Sequence, residues 1–345
     1  MTSTSTTPRS AVGRRFALVG GGSLVGFHTA RALVDAGAEE VLIVDNFAFG
    51  PSPDASELES EGSVRLIRGD VLRLPDLIRA FDGVDGVVSL AAFLSLPISR
   101  DPWLGLDVNI RGVQNTIEAC LLSKVGKLVF ASSNSVYGYG PGVVGRLTEE
   151  TPFHYHDAGP AGIIYGATKI IGENLCRLAR ATQGLDYVAL RYSTVYGERQ
   201  HARAANGLLL LDAIDRIISG SPPILVGDGN DSKHYVYAGD VASANLAALV
   251  GPATDVLLNC SGPSPITTRE LIELICDVMG YDGGIEMREA PKGTVNLNAG
   301  GAYTIDHERA AEVLGWRPKI DMREGIERVV AWRTERRESP TAAAQ

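Results

Sequence analysis

Tyr165 and Lys169 stand four apart in Tyr165-Gly166-Ala167-Thr168-Lys169. On a helix, residues i and i+4 share a face, so phenol and ammonium point into one site. A nearby cation stabilises phenolate over phenol and lowers the tyrosine pKa. A tyrosine tuned this way can take a proton from a substrate hydroxyl or return one. Three other features fit that chemistry. Gly20-Gly21-Gly22 makes a glycine-rich turn near the start, Asp45 closes the next apolar run, and Ser132-Ser133-Asn134-Ser135 ends a later one.

These residues need elements to hold them. Phe16-Ala17-Leu18-Val19 reads as a buried strand running into the glycines, residues 24–36 read as a helix stopped by Gly37, and Val41-Leu42-Ile43-Val44 reads as a second strand. Strand, glycine turn, helix, strand, acid is the order of a dinucleotide-binding unit. The glycines let the backbone approach a pyrophosphate at the positive end of the helix. Asp45 follows the turn by about 20 residues, where a carboxylate accepts from both ribose hydroxyls and repels a 2′-phosphate. No Arg follows it, so the expected cofactor is NAD rather than NADP.

Further strands are expected at 64–67, 86–92, 127–131 and 187–191, a long helix at 102–123 and another from Tyr165 to Gln183. Strands alternating with helices give an α/β fold, a Rossmann-type doubly wound parallel sheet whose ligands bind at the carboxyl ends of the strands. The serine cluster then opens into the same crevice as the glycine turn, and 138–160 forms a loop over it. Residues 262–281 read as strand, turn and helix capped by Thr267 or Thr268, and Ile326, Val329 and Val330 mark the core face of a last helix from Met322 to about Arg337.

The chain has 345 residues, a net charge of −9 and no basic block, which argues against nucleic acid and anionic membranes as partners. No apolar run approaches the roughly 20 residues of a membrane span. Residues 1–14 read as a disordered tail and 338–345 as a frayed one. Cys120, Cys176, Cys260 and Cys276 fit neither CxxC nor metal spacing and read as free thiols of a reducing, cytoplasmic protein. The loop histidines His154, His156, His201 and His234 match no metal motif; His201 and His234 are the candidates for substrate contact. No metal site is expected.

In order, the chain carries the glycine turn, Asp45, Asp70-Val71, Leu90-Ala91-Ala92, Asp107-Val108-Asn109, Ser132-Ser133-Asn134-Ser135-Val136-Tyr137-Gly138, Tyr165 with Lys169, and Leu190-Arg191-Tyr192-Ser193-Thr194-Val195-Tyr196-Gly197. Gly227-Asp228-Gly229, Tyr235-Val236-Tyr237-Ala238-Gly239-Asp240-Val241-Ala242 and Leu314-Gly315-Trp316-Arg317-Pro318 follow. Over residues 14–336 this succession resembles the extended short-chain dehydrogenase/reductases, in the NAD-dependent epimerase/dehydratase branch whose members act on nucleotide sugars.

The resemblance implies roles. Tyr165 is the base, Lys169 binds the nicotinamide ribose and lowers the tyrosine pKa, and Ser133 bonds the reacting oxygen, with Ser132 as its rival. The cofactor side is Gly20, Gly22, Ser23, Leu24, Val25, Gly26, Asp45, Asn46, Asp70, Val71, Leu90, Ala91, Ala92, Asn109, Ala131 and Tyr192, besides Tyr165 and Lys169. The substrate side is Ser133, Ser135, Tyr165, Thr194, Asn206, Lys233 and Lys292. Ser23 stands where the family turn usually has its middle glycine, and Lys233 and Lys292 stand where two arginines usually clamp a diphosphate. Asn134-Ser135 replaces the Asp-Glu of the dehydratases, which counts against 4,6-dehydration.

The organisation implied is an NAD domain of residues 15–192 plus about 234–261, and a smaller, interleaved substrate lobe of 193–233 plus 262–337. A homodimer through the helices near 103–123 and 165–183 is implied too. The leading function is a nucleotide-sugar C4 epimerase working through a 4-keto intermediate. Rivals are an NAD-dependent dehydrogenase of a sugar, sugar acid or small alcohol, a nucleotide-sugar decarboxylase or reductase, and a nucleotide-binding regulatory protein.

Overall fold

The computed structural model describes residues 10–48, 53–140, 142–156, 159–200, 208–289 and 303–338. It opens with β1 (Arg15–Val19), α1 (Leu24–Asp35), β2 (Glu40–Asp45), α2 (Pro53–Ser60), β3 (Val64–Arg68), α3 (Leu74–Ala80) and β4 (Gly86–Ser89). Helices α4 (Ser95–Arg100), α5 (Pro102–Leu106) and α6 (Gly112–Leu122) lead to β5 (Lys127–Ser133), a short β6 (Gly145–Leu147), the long α7 (Pro160–Gln183), β7 (Tyr187–Tyr192) and β8 (Thr194–Tyr196). Then come α8 (Leu208–Ile218), β9 (Ile224–Val226), β10 (Ser232–Tyr237), α9 (Ala238–Val250) and β11 (Val256–Cys260). The chain finishes with β12 (Pro265–Thr267), α10 (Thr268–Val278), β13 (Glu286–Arg288), β14 (Tyr303–Ile305), α11 (Glu308–Leu314) and α12 (Met322–Glu338).

Seven strands form one sheet in the order β11-β7-β5-β4-β1-β2-β3. Every pairing in it is parallel, as the alternation of strands and helices predicts. The order reverses between β1 and β4, and a crevice opens where their ends part. Side chains alternate across the sheet. Phe16 and Leu18 of β1 enter a core with Phe27 and Leu33 of α1 and Val241 and Leu249 of α9. Ala17 and Val19 enter the opposite core with Leu77 of α3, Ile117 of α6 and Cys176 of α7. Burial on both faces explains why the strands read as unbroken apolar runs rather than alternating ones.

A third core joins α8, α10 and α12 through Ile214, Leu271, Ile275, Ile326 and Val329, against Tyr196, Tyr235 and Tyr237. Here β10 pairs parallel with β8 and antiparallel with β12. Thr267, not Thr268, caps α10: it accepts from the Glu270 amide, and Glu270 reaches back to the Thr267 amide at 2.8 Å.

Some boundaries depart from expectation. Helix α7 starts at Pro160 rather than Tyr165, because proline at the first helical position has no amide to satisfy and the right fixed φ. The helix expected over 102–123 is interrupted by a π-helical turn at Asp107–Arg111, which carries Asn109. Strand β4 stops at Ser89, where the amides of Leu90 and Ala91 both turn to the Val19 carbonyl. Strand β5 runs on through Ser133. Among the described residues no helix is long and apolar enough to cross a membrane. Cys120, Cys176 and Cys260 are buried free thiols, and Cys276 is half-buried.

Candidate active site

The glycine turn sits where β1 and β4 part. Gly20 has φ +74, and a Cβ there would lie 2.6 Å from Ala91 Cα, so only glycine lets the two strand ends approach. A Cβ on Gly26 would meet the Gly21 carbonyl oxygen at 2.1 Å. Ser23 does not break the turn: it is the N-cap of α1, accepting from the Gly26 amide at 3.2 Å. The carboxylate of Asp45 braces the same turn, Oδ2 accepting from Gly22 N at 3.1 Å and Oδ1 from Phe47 N at 2.8 Å. A side chain at Gly22 would stand 3.0 Å from that carboxylate oxygen. Bare backbone, a helix N-terminus and a carboxylate at the next strand end fit the pyrophosphate and ribose of a dinucleotide.

The remaining cofactor-side residues divide. Ser23, Leu24, Val25, Leu90, Ala92, Ala131 and Tyr192 line one cavity of about 320 Å³ with Tyr165 and Lys169. Gly20, Gly22, Gly26, Asp45, Asn46, Asp70, Val71 and Ala91 lie at the ends of β1 to β4 outside that wall. Asn46 accepts from the Ala48 amide, and Asp70 Oδ1 accepts from the Leu72 amide at 2.9 Å. Val71 packs on Gly112 of α6. Asn109 is buried and fully engaged: it accepts from Phe93 N at 2.7 Å and donates to Phe93 O and Thr168 Oγ1. It ties the β4 end to α7, so its contribution here is to position the wall.

Tyr165 and Lys169 share the buried face of α7, as their spacing predicts. Burial pushes the Tyr165 phenol above the usual tyrosine range, the neighbouring Tyr139 adds to the rise, and the nearby Ser133 hydroxyl opposes it. The lowering expected from Lys169 is absent in this arrangement. The ammonium stands 5.7 Å from the Tyr165 ring centroid and donates instead to the Ala131 carbonyl at 2.7 Å. Burial pulls Lys169 down to about 8, with Glu173 acting in the other direction.

The two serines part because successive residues of a strand face opposite ways. Ser132 turns to Glu173 at 2.6 Å, while Ser133 faces Tyr165. Ser133 Oγ donates to Ser135 Oγ at 3.0 Å and accepts from Ser135 N at 3.1 Å. Ser135 Oγ lies 2.5 Å from the Tyr139 hydroxyl.

Across the cavity, Thr194 and Lys233 complete the wall. Lys233 has no hydrogen bond or ion pair among the described residues; burial pulls its ammonium below the usual lysine range, and Asp231 acts against that. Asn206 and Lys292 fall outside the described residues, as does His201. His234 is not a substrate contact. It is buried, Nδ1 sits 3.1 Å from Ser261 Oγ, Nε2 accepts from the Ile305 amide, and the ring stacks on Tyr303.

The structure adds wall residues that spacing alone did not single out. Tyr139 and Tyr303 line the cavity, and so do Ser193 and Gln200, whose buried Oγ and Oε1 have no partner among the described residues. Gln200 follows the Tyr196-Gly197 pair by three residues, the one sequence signal that could have found it. Among the described lining residues there are two lysines and no Asp or Glu.

Comparison with known proteins adds the following. Residues 17–257 match the family model described as the NAD dependent epimerase/dehydratase family. A Methanocaldococcus jannaschii protein provisionally named UDP-glucose 4-epimerase is 31% identical over 319 residues, 91% of this chain and 97% of that protein. The UDP-N-acetylglucosamine 4-epimerase of Methanobrevibacter ruminantium, solved with UDP-N-acetylmuramic acid, superposes with a TM-score of 0.82 at 26% identity over 94% of this chain and 99% of that one. The Thermus thermophilus UDP-glucose 4-epimerase, solved with NAD, gives 0.78 at 30% identity over 92% and 99%.

Burial holds His234 neutral, down to about 4 from an unfolded value of 6.5. Between those values the unfolded chain binds a proton that the folded one refuses, so stability falls as pH drops through the window, by about 3 kcal/mol. In urea unfolding, wild-type protein is expected to lose that much more than His234→Gln between pH 6.5 and pH 4. Parallel curves would refute the assignment.

Proposed function

Because the chain belongs to the NAD-dependent epimerase/dehydratase family, we propose that it is a C4 epimerase of a UDP-sugar or a closely related nucleotide sugar. One observation carries the reading: the Lys233 ammonium, without a side-chain partner among the described residues, in the wall of a cavity whose described lining holds a second lysine and no carboxylate. Such a wall favours an anionic ligand. Asn134-Ser135 in place of the dehydratases' Asp-Glu, and the lack of Asp or Glu among the described lining residues, count against dehydration, since expelling water needs an acid and a base beside the sugar.

NAD, when bound, supplies the oxidation of the carbinol carbon and its later reduction. The glycine turn and Asp45 would hold the dinucleotide, and Lys169, which spends one of its three N–H donors on the Ala131 carbonyl, keeps two for the ribose hydroxyls. Tyr165 takes the proton of the substrate hydroxyl while Ser133 hydrogen-bonds the same oxygen. The 4-keto sugar presents its other face, and Tyr165 returns the proton. Lys233 grips the diphosphate throughout, and the lobe of 193–233 and 262–337 closes the cavity against water.

The same reading includes a homodimer. Ile171 and Leu178 fall seven apart on α7 and are 39% and 58% exposed, and Trp103 and Leu122 on the neighbouring helices are 78% and 55% exposed. That apolar surface supports pairing through these helices.

Three outcomes test these points. Calorimetric titration of UDP into the NAD-loaded protein is expected to give micromolar binding, weakened roughly tenfold to a hundredfold in Lys233→Ala, the worth of one charged hydrogen bond. Absence of binding by UDP, dTDP and GDP would transfer the reading to a dehydrogenase of an unactivated alcohol. Tyr165→Phe is expected to keep NAD and lose turnover by about 10²- to 10⁴-fold; near-wild-type turnover would remove Tyr165 from catalysis. Light scattering is expected to give a dimer mass for wild type and a monomer mass for Leu178→Glu, and a monomeric wild type would end the dimer proposal.

A further inference from the structure

We propose that Arg199 is a positioning residue for the ligand cavity: by clamping α2 it holds its own backbone in a left-handed conformation, and that conformation sets the amide of Gln200 in the cavity wall, where it meets a hydroxyl or N–H of the ligand. This role rests on the cavity being the ligand site proposed above.

Two adjacent residues are held in unfavourable states. Arg199 has φ +70, in a region that L side chains resist. Gln200 is buried and lines the cavity, and its Oε1 has no partner among the described residues. Ser193 Oγ, in the same wall, is unpartnered too. Buried polar groups are nearly always paired, and a strained backbone persists only where its surroundings over-determine it. Such states concentrate where a ligand is recognised.

The surroundings that hold residue 199 are in place. Arg199 Nη1 donates to Asp54 Oδ1 at 2.8 Å and to Glu57, and Nη2 donates to Glu57 Oε1 at 2.9 Å. Its Cζ lies 4.5 Å from the centroid of the Phe27 ring on α1. Asp54 is 1% exposed and also accepts from Arg336 of α12 at 2.6 Å. The preceding residue is fixed as well. The Glu198 carbonyl accepts from His28 Nε2 of α1 at 3.1 Å, and its carboxylate accepts from the Tyr237 hydroxyl at 2.6 and 2.8 Å.

Exposed ion pairs contribute little by themselves. This one combines a buried carboxylate, a forked guanidinium and an aromatic face. Its partners begin at the dinucleotide end: α1 starts at the glycine turn, and α2 follows β2 and Asp45. Released from the clamp, residue 199 can relax to negative φ, and one reversed backbone angle turns the next side chain away from the wall. Held by it, Gln200 presents an open acceptor to the cavity. A ligand hydroxyl or N–H completes that acceptor, and a ligand without one leaves it unpaired and is rejected.

Crystal structures of NAD-loaded wild type, Arg199→Ala and Glu57→Ala test the positioning directly. Glu57 is exposed, so its truncation opens the clamp from the solvent side without touching a core. In both variants residue 199 is expected to leave the left-handed region and Gln200 to leave the cavity wall. Gln200 still in place in either variant would overturn the proposal. Calorimetry gives the second readout. UDP-glucose binding to NAD-loaded protein is expected to weaken about tenfold in Arg199→Ala and in Gln200→Ala, with NAD affinity within about twofold of wild type. The double variant is expected to add nothing, since both changes remove the same contact. A parallel loss of NAD affinity would make Arg199 a merely structural residue, and additive losses would separate it from Gln200; either refutes the role. If wild type binds no UDP-glucose, the nucleotide-sugar reading fails, and the crystal structures still decide what holds Gln200.

Discussion

One buried carboxylate holds the catalytic helix to the sheet. Glu173 of α7 accepts from Arg191 of β7 through two parallel bonds of 2.8 Å and from Ser132 of β5 at 2.6 Å. Taking two such charges out of water costs several kcal/mol each, and the cost is recovered only when the remaining donors are also met. Here they are: the third Arg191 nitrogen, Nη1, reaches the Tyr137 hydroxyl at 3.2 Å and the Glu149 carbonyl at 2.8 Å. Tyr137 in turn donates to Asn259 of β11. The planar guanidinium fork makes this a geometric lock as well as an ion pair. Tyr165 lies about two turns before Glu173 on the same helix, so its place over the crevice is inherited from this pair.

The lock also separates the serines of the β5 end. One hydroxyl is spent on the buried network, and the next, facing the other way, lines the cavity beside Ser135. The cavity shows the same economy in charge. The protein carries a net charge of −9, yet the described wall of its central cavity holds two lysines and no acid. Overall charge discourages extended polyanions, while local charge attracts a small anionic ligand. Two carboxylates beside the site, Glu173 and Asp45, are each committed, one to Arg191 and one to the backbone of the glycine turn.

Departures from expectation have a common cause. Lys169 was expected to tune the Tyr165 phenol, but spacing along a helix fixes only the shared face, not the partner an ammonium chooses among nearby carbonyls. His234 looked like a loop histidine, but a strand pairing and the backbone of β14 enclose it. Asn109, expected beside the cofactor from its motif, is held there by hydrogen bonds to Phe93 and Thr168 that the motif does not show. Each turns on a contact between segments far apart in the chain.

What the sequence determined by itself is local and periodic. Apolar runs punctuated by glycine pointed to the parallel sheet, the i and i+4 rule put Tyr165 and Lys169 on one face, and the Asp that ends β2 marked the turn it now braces. These follow from backbone geometry over a few residues. Only the tertiary structure decided which hydroxyls meet. The choice of Ser133 over Ser132, the pairing of Ser135 with Tyr139 and the place of the Lys233 ammonium in the cavity wall all depend on how β5, α7 and β10 converge. Hydrogen bonds are won or lost over tenths of an ångström, and no spacing within one segment fixes distances between three.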